Sequence, residues 1–517
     1  MIGLATRRTV LRTLPAKIAG YGSVRPFTGA FDNLGVVEKA PVTLRSAVPG
    51  ASKVLPSIRA AIEACGLKDG AVISFHHHLR NGDRVLAMVI AEIERAGLRD
   101  ITIAPSSLFP AHAPLVPYLE SGTVSGIHTA YMVGPVAAAV SRGVLKRAVT
   151  MCTHGGRARA IQSGALRIDV AFIGAPTVDA YGNINGVDGA SACGSLGYAA
   201  VDVECAHRVV AITDNLVSYP ACPIEITQDH VDFVVAVDSI GDPSGIASGT
   251  TRPTTDPVGL QIARSAADVI SLSGLMKDGF SFQTGAGGIS LAVAAAVKDV
   301  MLERNIRGSF ASGGITGAIV DMLRAGLFRA LFDVQCFDLA AVDSYRRDEA
   351  HLGMSASMYA NPHNRGAVVN QLDAMILGAA EIDVDFNVNV TTGTDGIIMG
   401  GSGGHADTAA GAKLAIVTTR LNAGGYAKVV DRVTTVTTPG ETVDVLVTEA
   451  GVAVHPEREE LRDRLVAGGV RVVPIEQLQA MAGQGAVQPK PAVRDERIVA
   501  VVEYRDGTVT DVVRAVA

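Results

Sequence analysis

Residues 168–185 (IDVAFIGAPTVDAYGNIN) and 372–389 (LDAMILGAAEIDVDFNVN) are two copies of one unit. They match in register at Asp169/Asp373, Gly174/Gly378, Ala175/Ala379, Asp179/Asp383, Asn183/Asn387 and Asn185/Asn389. The positions between keep their apolar character. Each copy reads as strand, turn and strand, then runs into a Gly-rich loop. That loop is Gly194-Ser195-Leu196-Gly197 in the first copy and Gly400-Gly401-Ser402-Gly403-Gly404 in the second. A unit repeated at this distance requires two similar halves, each with its own sheet.

The rest of the chain fits that frame. Ala71–Phe75 is an apolar run, Asp83–Ala96 carries apolar residues at helical spacing, and Ile101–Ala104 is the next short strand. This is the alternation of a parallel α/β sheet. Val209–Thr213 and Val231–Val237 continue it. Residues 241–257 (GDPSGIASGTTRPTTDP) interrupt it with Pro and Gly and read as a linker or long loop. A second rhythm follows: Val258–Ala267 helical, Phe280–Gln283 extended, Ile289–Leu302 helical, with later strands at Leu414–Thr418 and Val443–Val447. The end, 497–514, reads as a hairpin around Asp506-Gly507, a pair suited to a type I′ turn. The expected division is 1–245, 246–490 and a hairpin extension over 491–517.

With 517 residues the chain exceeds one ordinary core. Its 48% hydrophobic content and 56 glycines suit buried strands joined by tight turns and exclude a disordered chain. The net charge of -6 gives no basic footprint for nucleic acid. The longest apolar candidate, Val133 to Val140, stops at Ser141-Arg142, so no membrane span is expected. Six scattered cysteines without a CxxC read as reduced thiols of a cytoplasmic protein. The N-terminus lacks the apolar core of a secretory signal, and Pro15 with Gly20-Tyr21-Gly22 suits a transit peptide poorly.

Several turns can carry chemistry. Gly400–Gly404, followed by His405 and Asp407, offers backbone N–H groups to an anionic oxygen. Phe282–Gly288 holds Gln283, Gly285 and Gly287, and no carboxylate occurs from Gly279 to Val297. Ser309–Gly317 reads as a third Gly loop. In Phe75–Asp83 (FHHHLRNGD), strand alternation would let only His76 and His78 share a site. With no HExxH or matched Cys set, metal is not expected. Anion binding by His76, His78 and Arg80 is the favoured reading. His154-Gly155-Gly156-Arg157 reads as a similar turn, with Arg157 able to clamp a carboxylate. A GxSxG elbow is absent.

Together, FHHHLRNGD, HGGR, residues 168–198, DGFSFQTGAGG, EIDVDFNVNV and GGSGGHADTAAGAK resemble the α subunit of citrate lyase, a citrate CoA-transferase. The likeness runs from about Leu14 to about residue 480. It implies two tandem CoA-transferase-like domains, each an open, mostly parallel sheet with flanking helices. It also implies exchange of an acetyl thioester for a citryl thioester, releasing acetate. No cofactor would be held permanently; CoA or a phosphoribosyl-dephospho-CoA thioester is the substrate. The implied partners are an acyl carrier (γ) subunit and a lyase (β) subunit, in an oligomer. Covalent CoA-transferases use a Glu near the start of the second domain, just before a Gly-rich turn, and that region here reads Gln283-Thr284-Gly285 with no Glu. Direct attack by a citrate carboxylate, through a mixed anhydride, is therefore expected. Gln283, Gly403 and Gly404 are the catalytic candidates, with Glu381 a residual nucleophile candidate whose counterpart is Thr177. His76, His78, Arg80 and Arg157 would hold citrate. Gly285, Gly287, Gly400, Gly401, Ser402, His405 and Asp407 would hold the CoA side. Asn387 and Asn389 are expected to cap turns. Rival readings are a CoA-transferase or thioesterase for another dicarboxylate such as citramalate, a non-catalytic acyl-carrier scaffold, and a sugar-phosphate isomerase-like enzyme.

Overall fold

The structure is a computed structural model that describes residues 12–33, 35–42, 46–247, 252–487 and 494–516. Two large sheets organise it. The first has ten strands, in the spatial order Val509–Val516, Arg494–Glu503, Val149–Met151, Val124–Thr129, Ile101–Pro105, Val72–Phe75, Val170–Gly174, Arg208–Thr213, Phe233–Ala236 and Val54–Leu55. All neighbours are parallel except the terminal hairpin pair. The second has eight strands: His351–Gly353, Phe328–Cys336, Gly308–Ile315, Ser281–Thr284, Ala374–Gly378, Ala415–Thr418, Val445–Thr448 and Gly451–Val454. Only its last pair is antiparallel. Strands covered on both faces need continuous apolar runs, and Val170-Ala171-Phe172-Ile173 is buried throughout.

The two repeat copies build the same substructure. In each, the sheet strand (Val170–Gly174 or Ala374–Gly378) turns into a short strand, Thr177–Asp179 or Glu381–Asp383. That strand pairs antiparallel with Ile184–Asn185 or Val388–Asn389, and parallel with Leu216–Val217 or Val429–Val430. The matched residues hold the frame. Asp169 accepts from the N–H of Val72 at 2.7 Å, and Asp373 from that of Ser281 at 2.9 Å, each at the start of the adjacent strand. Asp179 accepts from Tyr181, Gly182 and Asn183 N–H; Asp383 accepts from Asp385 and Asn387 N–H. Asn185 and Asn389 each accept from two N–H groups of the loop that follows. Asn387 and Asn389 thus serve turns, as expected.

Three local expectations are corrected. Ser309–Gly317 is mostly strand, Gly308–Ile315, with a register shift between Gly313 and Gly314. Its glycines make room: a Cβ on Gly313 would sit 2.4 Å from Gln283 Nε2, and one on Gly314 2.1 Å from the Phe337 ring. His154–Arg157 is no turn but the start of the helix His154–Gln162, capped by Thr153 Oγ1. In the terminal hairpin only Gly507 has positive φ, +82°, with Gly507 N–H donating to Tyr504 O. A type I′ turn needs two such residues, so the turn is a longer one.

Residues 241–257 are partly ordered against the first sheet, and 248–251 lie outside the described residues. Gly241 bridges Asp83, and Asp242 N–H donates to Gly82 O at 3.0 Å. The terminal hairpin pairs parallel with Val149–Met151 and so widens the first sheet, although it follows the second half in sequence. Asp511 and Thr510 also bond to Val436, tying the hairpin to the second half. Among the described residues no helix is long and apolar enough to cross a membrane.

Candidate active site

A cavity of about 370 Å³ lies where the strand-end loops of the two halves meet. The first half contributes His77, Arg80, Ser107, Phe109, Tyr131, His154 and Tyr198. The second contributes Gln283–Gly287, Gln335, Phe337, Tyr359, Met399 and Gly400–His405, among others. No Asp, Glu or Lys is among the described lining residues.

The Gly-rich loop is docked on the first half through its backbone. Met132 N–H donates to Gly400 O (3.2 Å), Gly403 N–H to Ala130 O (3.0 Å), and His154 N–H to Gly403 O (2.8 Å). A Cβ on Gly401 would fall 2.5 Å from Ala130 O, so the approach requires glycine. The Gly403 N–H is therefore occupied and free for no oxyanion. The N–H groups of Gly401, Ser402 and Gly404 donate to no acceptor among the described residues. Gly285 N–H is likewise spent on Ile376 O, and Gly287 N–H on Gly285 O. These glycines shape the wall without offering donors.

Arg80 is the unusual cation. It is buried, sits at φ +52°, and makes no ion pair or hydrogen bond through its side chain with any described residue. Its guanidinium lies over the rings of Phe109 (4.6 Å) and Phe337 (5.3 Å), one from each half. Burial lowers its pKa to about 10, which leaves it charged at neutral pH. A buried, unpaired charge is costly, and a strained backbone persists only where the surroundings hold it.

His76 and His78 do not reach the cavity; their Nδ1 atoms face each other. His77 lines it instead. The strand ends at Phe75 and the chain turns at once, with Arg80 N–H bonding to His77 O, so strand alternation no longer applies at these positions. His77 Nδ1 lies 2.6 Å from Ser106 Oγ, and its ring stacks on Tyr198. Burial holds His77 and His154 neutral, the latter at about 3, with charged Arg157 nearby reinforcing it. Arg157 itself is withdrawn from the cavity. It pairs bidentately with Asp202 (2.7 and 2.8 Å) and donates to Ala104 O.

His405 lines the wall as a brace. Nε2 lies 2.9 Å from Gly378 O, a pure acceptor, so Nε2 carries the proton and Nδ1 accepts from Thr438 Oγ1 (2.8 Å). Burial lowers its pKa to about 4. Ser402 lines the cavity and its Oγ accepts from Ala406 N–H. Asp407 lies behind the loop, where it accepts from Thr153 Oγ1 (2.9 Å) and Gly155 N–H (2.8 Å), with Arg505 Nε 3.7 Å away. Burial raises its pKa to about 6, against the lowering effect of Arg505. Glu381 is also off the cavity: Asn389 Nδ2, Thr434 N–H and Thr434 Oγ1 all donate to its oxygens. Gln283 does line it, with Oε1 accepting from Ser312 Oγ (3.0 Å) and Nε2 donating to Tyr359 Oη (2.8 Å).

Tyr198, Tyr359, Phe109 and Phe337 went unread in the sequence, since lone aromatics outside a motif carry no chemical signal. Among the described residues Asp333, Cys336 and His351 place metal-capable atoms within 4.8 Å of one another, but they lie off the cavity. Asp333 Oδ2 accepts from Cys336 Sγ (3.0 Å) and lies 3.1 Å from His351 Nε2, which reads as a hydrogen-bonded triad.

Paired open sheets with a cavity between their loops define a CoA-transferase-like α/β fold. A chain of a Pseudomonas malonate decarboxylase hetero-tetramer structure shares that fold (TM-score 0.62, 16% identity, 85% of this chain and 89% of that one). The family model for citrate lyase, alpha subunit (CitF), matches residues 51–516, and the chain belongs to that family. The citrate lyase alpha chain of Escherichia coli is 49% identical over 464 residues, 90% of this chain and 91% of that one. That of Klebsiella pneumoniae is 46% identical over 482 residues, 93% and 95%. A crystal structure of a citrate lyase alpha subunit from Streptococcus mutans, in complex with citrate, superposes with TM-score 0.94 at 46% identity, covering 98% of this chain and 99% of that one.

Proposed function

We propose that the chain is the citrate CoA-transferase subunit of a citrate lyase, converting an acetyl thioester and citrate into a citryl thioester and acetate. The observation that carries this reading is Arg80: a buried, charged guanidinium on a cavity with no carboxylate among its described lining residues. A polycarboxylate supplies the missing charge, and a planar bidentate pair suits guanidinium. Neutral His77 and His154 can hydrogen-bond further carboxylate or hydroxyl groups without adding charge.

The absence of a lining Asp or Glu favours a route with no protein nucleophile. A citrate carboxylate oxygen attacks the acetyl carbonyl, the C–S bond breaks, and a thiolate leaves, giving the mixed anhydride. The thiolate then attacks the citryl carbonyl and expels acetate. Positioning and donors to the developing oxyanion do the catalytic work. Gly401, Ser402 and Gly404 N–H are the backbone donors of this scheme.

The thioester is presented by an acyl carrier subunit or as acetyl-CoA, and a separate lyase subunit consumes the product in a cytoplasmic oligomer. The two CoA-transferase-like halves are then 1–245 and 246–490, and of the extension 491–517 the described residues 494–516 pair with the first sheet. The test incubates the purified chain with acetyl-CoA and citrate and follows acetate and citryl-CoA. Stoichiometric exchange is expected. Citramalate outcompeting citrate would reassign the acid, and no exchange with any acid would overturn the reading.

A further inference from the structure

Resting on that reaction, we infer that Tyr359 is a catalytic residue, whose hydroxyl donates to the thioester carbonyl oxygen as it becomes an oxyanion. Three observations lead there. Tyr359 lines the cavity from the helix Ala356–Ala360, and its Oη lies beside the open part of the Gly-rich loop: a Cβ on Gly404 would fall 2.5 Å from it. The Gly404 N–H in that same corner has no acceptor among the described residues.

The second observation is direction. Ser312 Oγ donates to Gln283 Oε1, and Gln283 Nε2 donates to Tyr359 Oη. The phenol oxygen is thus an acceptor on the protein side, and its own proton finds no acceptor among the described residues. A chain of donors running one way polarises its last member. Burial, with the Asp407 carboxylate nearby, also keeps the phenol protonated, so a donor is what it can be.

The third is rigidity. Ser355 caps the helix, and Ser357 and Asn361 bond to Gln162 of the first half. Arg505, from the terminal hairpin, donates to Ala360 O at 3.1 Å. An oxyanion donor gains its effect from being fixed before the charge develops. Gln283 has a matching positioning role: it points the phenol and need not touch the acyl group.

The test compares wild type with Tyr359→Phe, which keeps the ring and its packing. The kcat for acetyl-CoA/citrate exchange should fall about 100-fold, the usual effect of deleting one oxyanion donor. Binding of S-ethyl-CoA, a thioether with no carbonyl, should stay within about twofold. In the infrared, the carbonyl stretch of bound acetyl-CoA should lie lower in wild type than in the variant. Gln283→Glu should lose exchange in the same way, because a carboxylate would accept the phenol's hydrogen bond and turn that proton away from the acyl group. Wild-type kcat in Tyr359→Phe, or an unchanged carbonyl stretch, would overturn the assignment. A shifted stretch in a wild-type protein that exchanges no acid would leave Tyr359 in place and remove the citrate reading instead.

Discussion

The two Gly-rich loops hang from the same scaffold and end in different places. Asn185 and Asn389 occupy equivalent positions and make equivalent turns. The first loop then docks on the second sheet: Ser195 Oγ donates to Asp333 O, and Gly194 packs against Cys336. The second docks on the first sheet at Ala130, Met132 and His154. Both cross to the opposite half, but only the second lines the cavity between the halves, and its Gly401, Ser402 and Gly404 N–H groups have no acceptor among the described residues. The first delivers a side chain there, Tyr198. Identity between the copies therefore marks the frame, and the chemistry is found where they diverge.

The largest break in that comparison comes from the charge that neither copy neutralises. Arg80→Met should lose about 2–5 kcal/mol of interaction with the acid, roughly 30-fold to several-thousand-fold in kcat/KM for citrate. Its Tm should stay unchanged or rise, because an unpaired buried cation is replaced by an apolar side chain. Steady-state kinetics alongside a thermal melt checks both. A lower Tm with normal kcat/KM would mean that Arg80 serves folding and not binding.

Paired variants of the scaffold asparagines come next. Asn389→Ala and Asn185→Ala each strip the acceptor from two buried N–H groups, at about 1–3 kcal/mol per group left unsatisfied. Urea titration should show similar losses. Exchange per folded molecule should fall about tenfold or more only for Asn389→Ala, whose loop carries the free donors. Equal kinetic losses would erase the distinction between the loops.

The pH dependence sharpens it further. Asp407 clamps the second loop to the capped start of the helix His154–Gln162, at Thr153 and Gly155, as a carboxylate and titrates near 6, raised by burial. The groups around it are Arg505, Cys152, Tyr198, Tyr359 and Tyr504. Exchange should fall as pH drops through about 6. Stability moves the other way for this group. With its folded pKa above the unfolded value of 3.8, the native state binds the proton more tightly, so Asp407 destabilises as pH rises from about 4 to 6. An acid limb in activity with no matching fall in Tm at pH 5–6 is the expected signature. Arg505→Met should move that limb to higher pH, since the guanidinium holds the carboxyl down.

These contrasts also explain what could be read from the sequence. The sheets were legible because buried parallel strands write continuous apolar runs, and the repeat because a turn locked by Asp179 or Asp383 tolerates few substitutes. Gly400–Gly404, Gln283 and Arg80 were legible as turn residues at strand ends. Which His faces the cavity was not, because the alternation that selects His76 and His78 ends with the strand at Phe75. Arg157 looked like a carboxylate clamp, and it is one, but for Asp202, a partner that only the fold brings near. Asp407 and His405 read as ligand contacts from their place in the motif. Their hydrogen bonds face the protein, a direction set by packing between the halves that no local pattern encodes.

The smallest effect should come from Glu381, a carboxylate in the second copy where the first has Thr177. Thr177 Oγ1 accepts from Asn215 Nδ2, so both side chains are acceptors in a buried network. Glu381 takes three donors at once and steadies Asn389, and through it the start of the Gly-rich loop. Glu381→Gln keeps the size but turns an amide toward those donors. A stability loss of about 1–3 kcal/mol is expected from the mismatched hydrogen bonds, with kcat lowered severalfold at most. Were Glu381 the nucleophile, exchange would vanish in this variant, and borohydride reduction of the wild type with acetyl-CoA would label that residue. Residual exchange in Glu381→Gln and no labelled glutamate would leave the acid substrate as the attacking group.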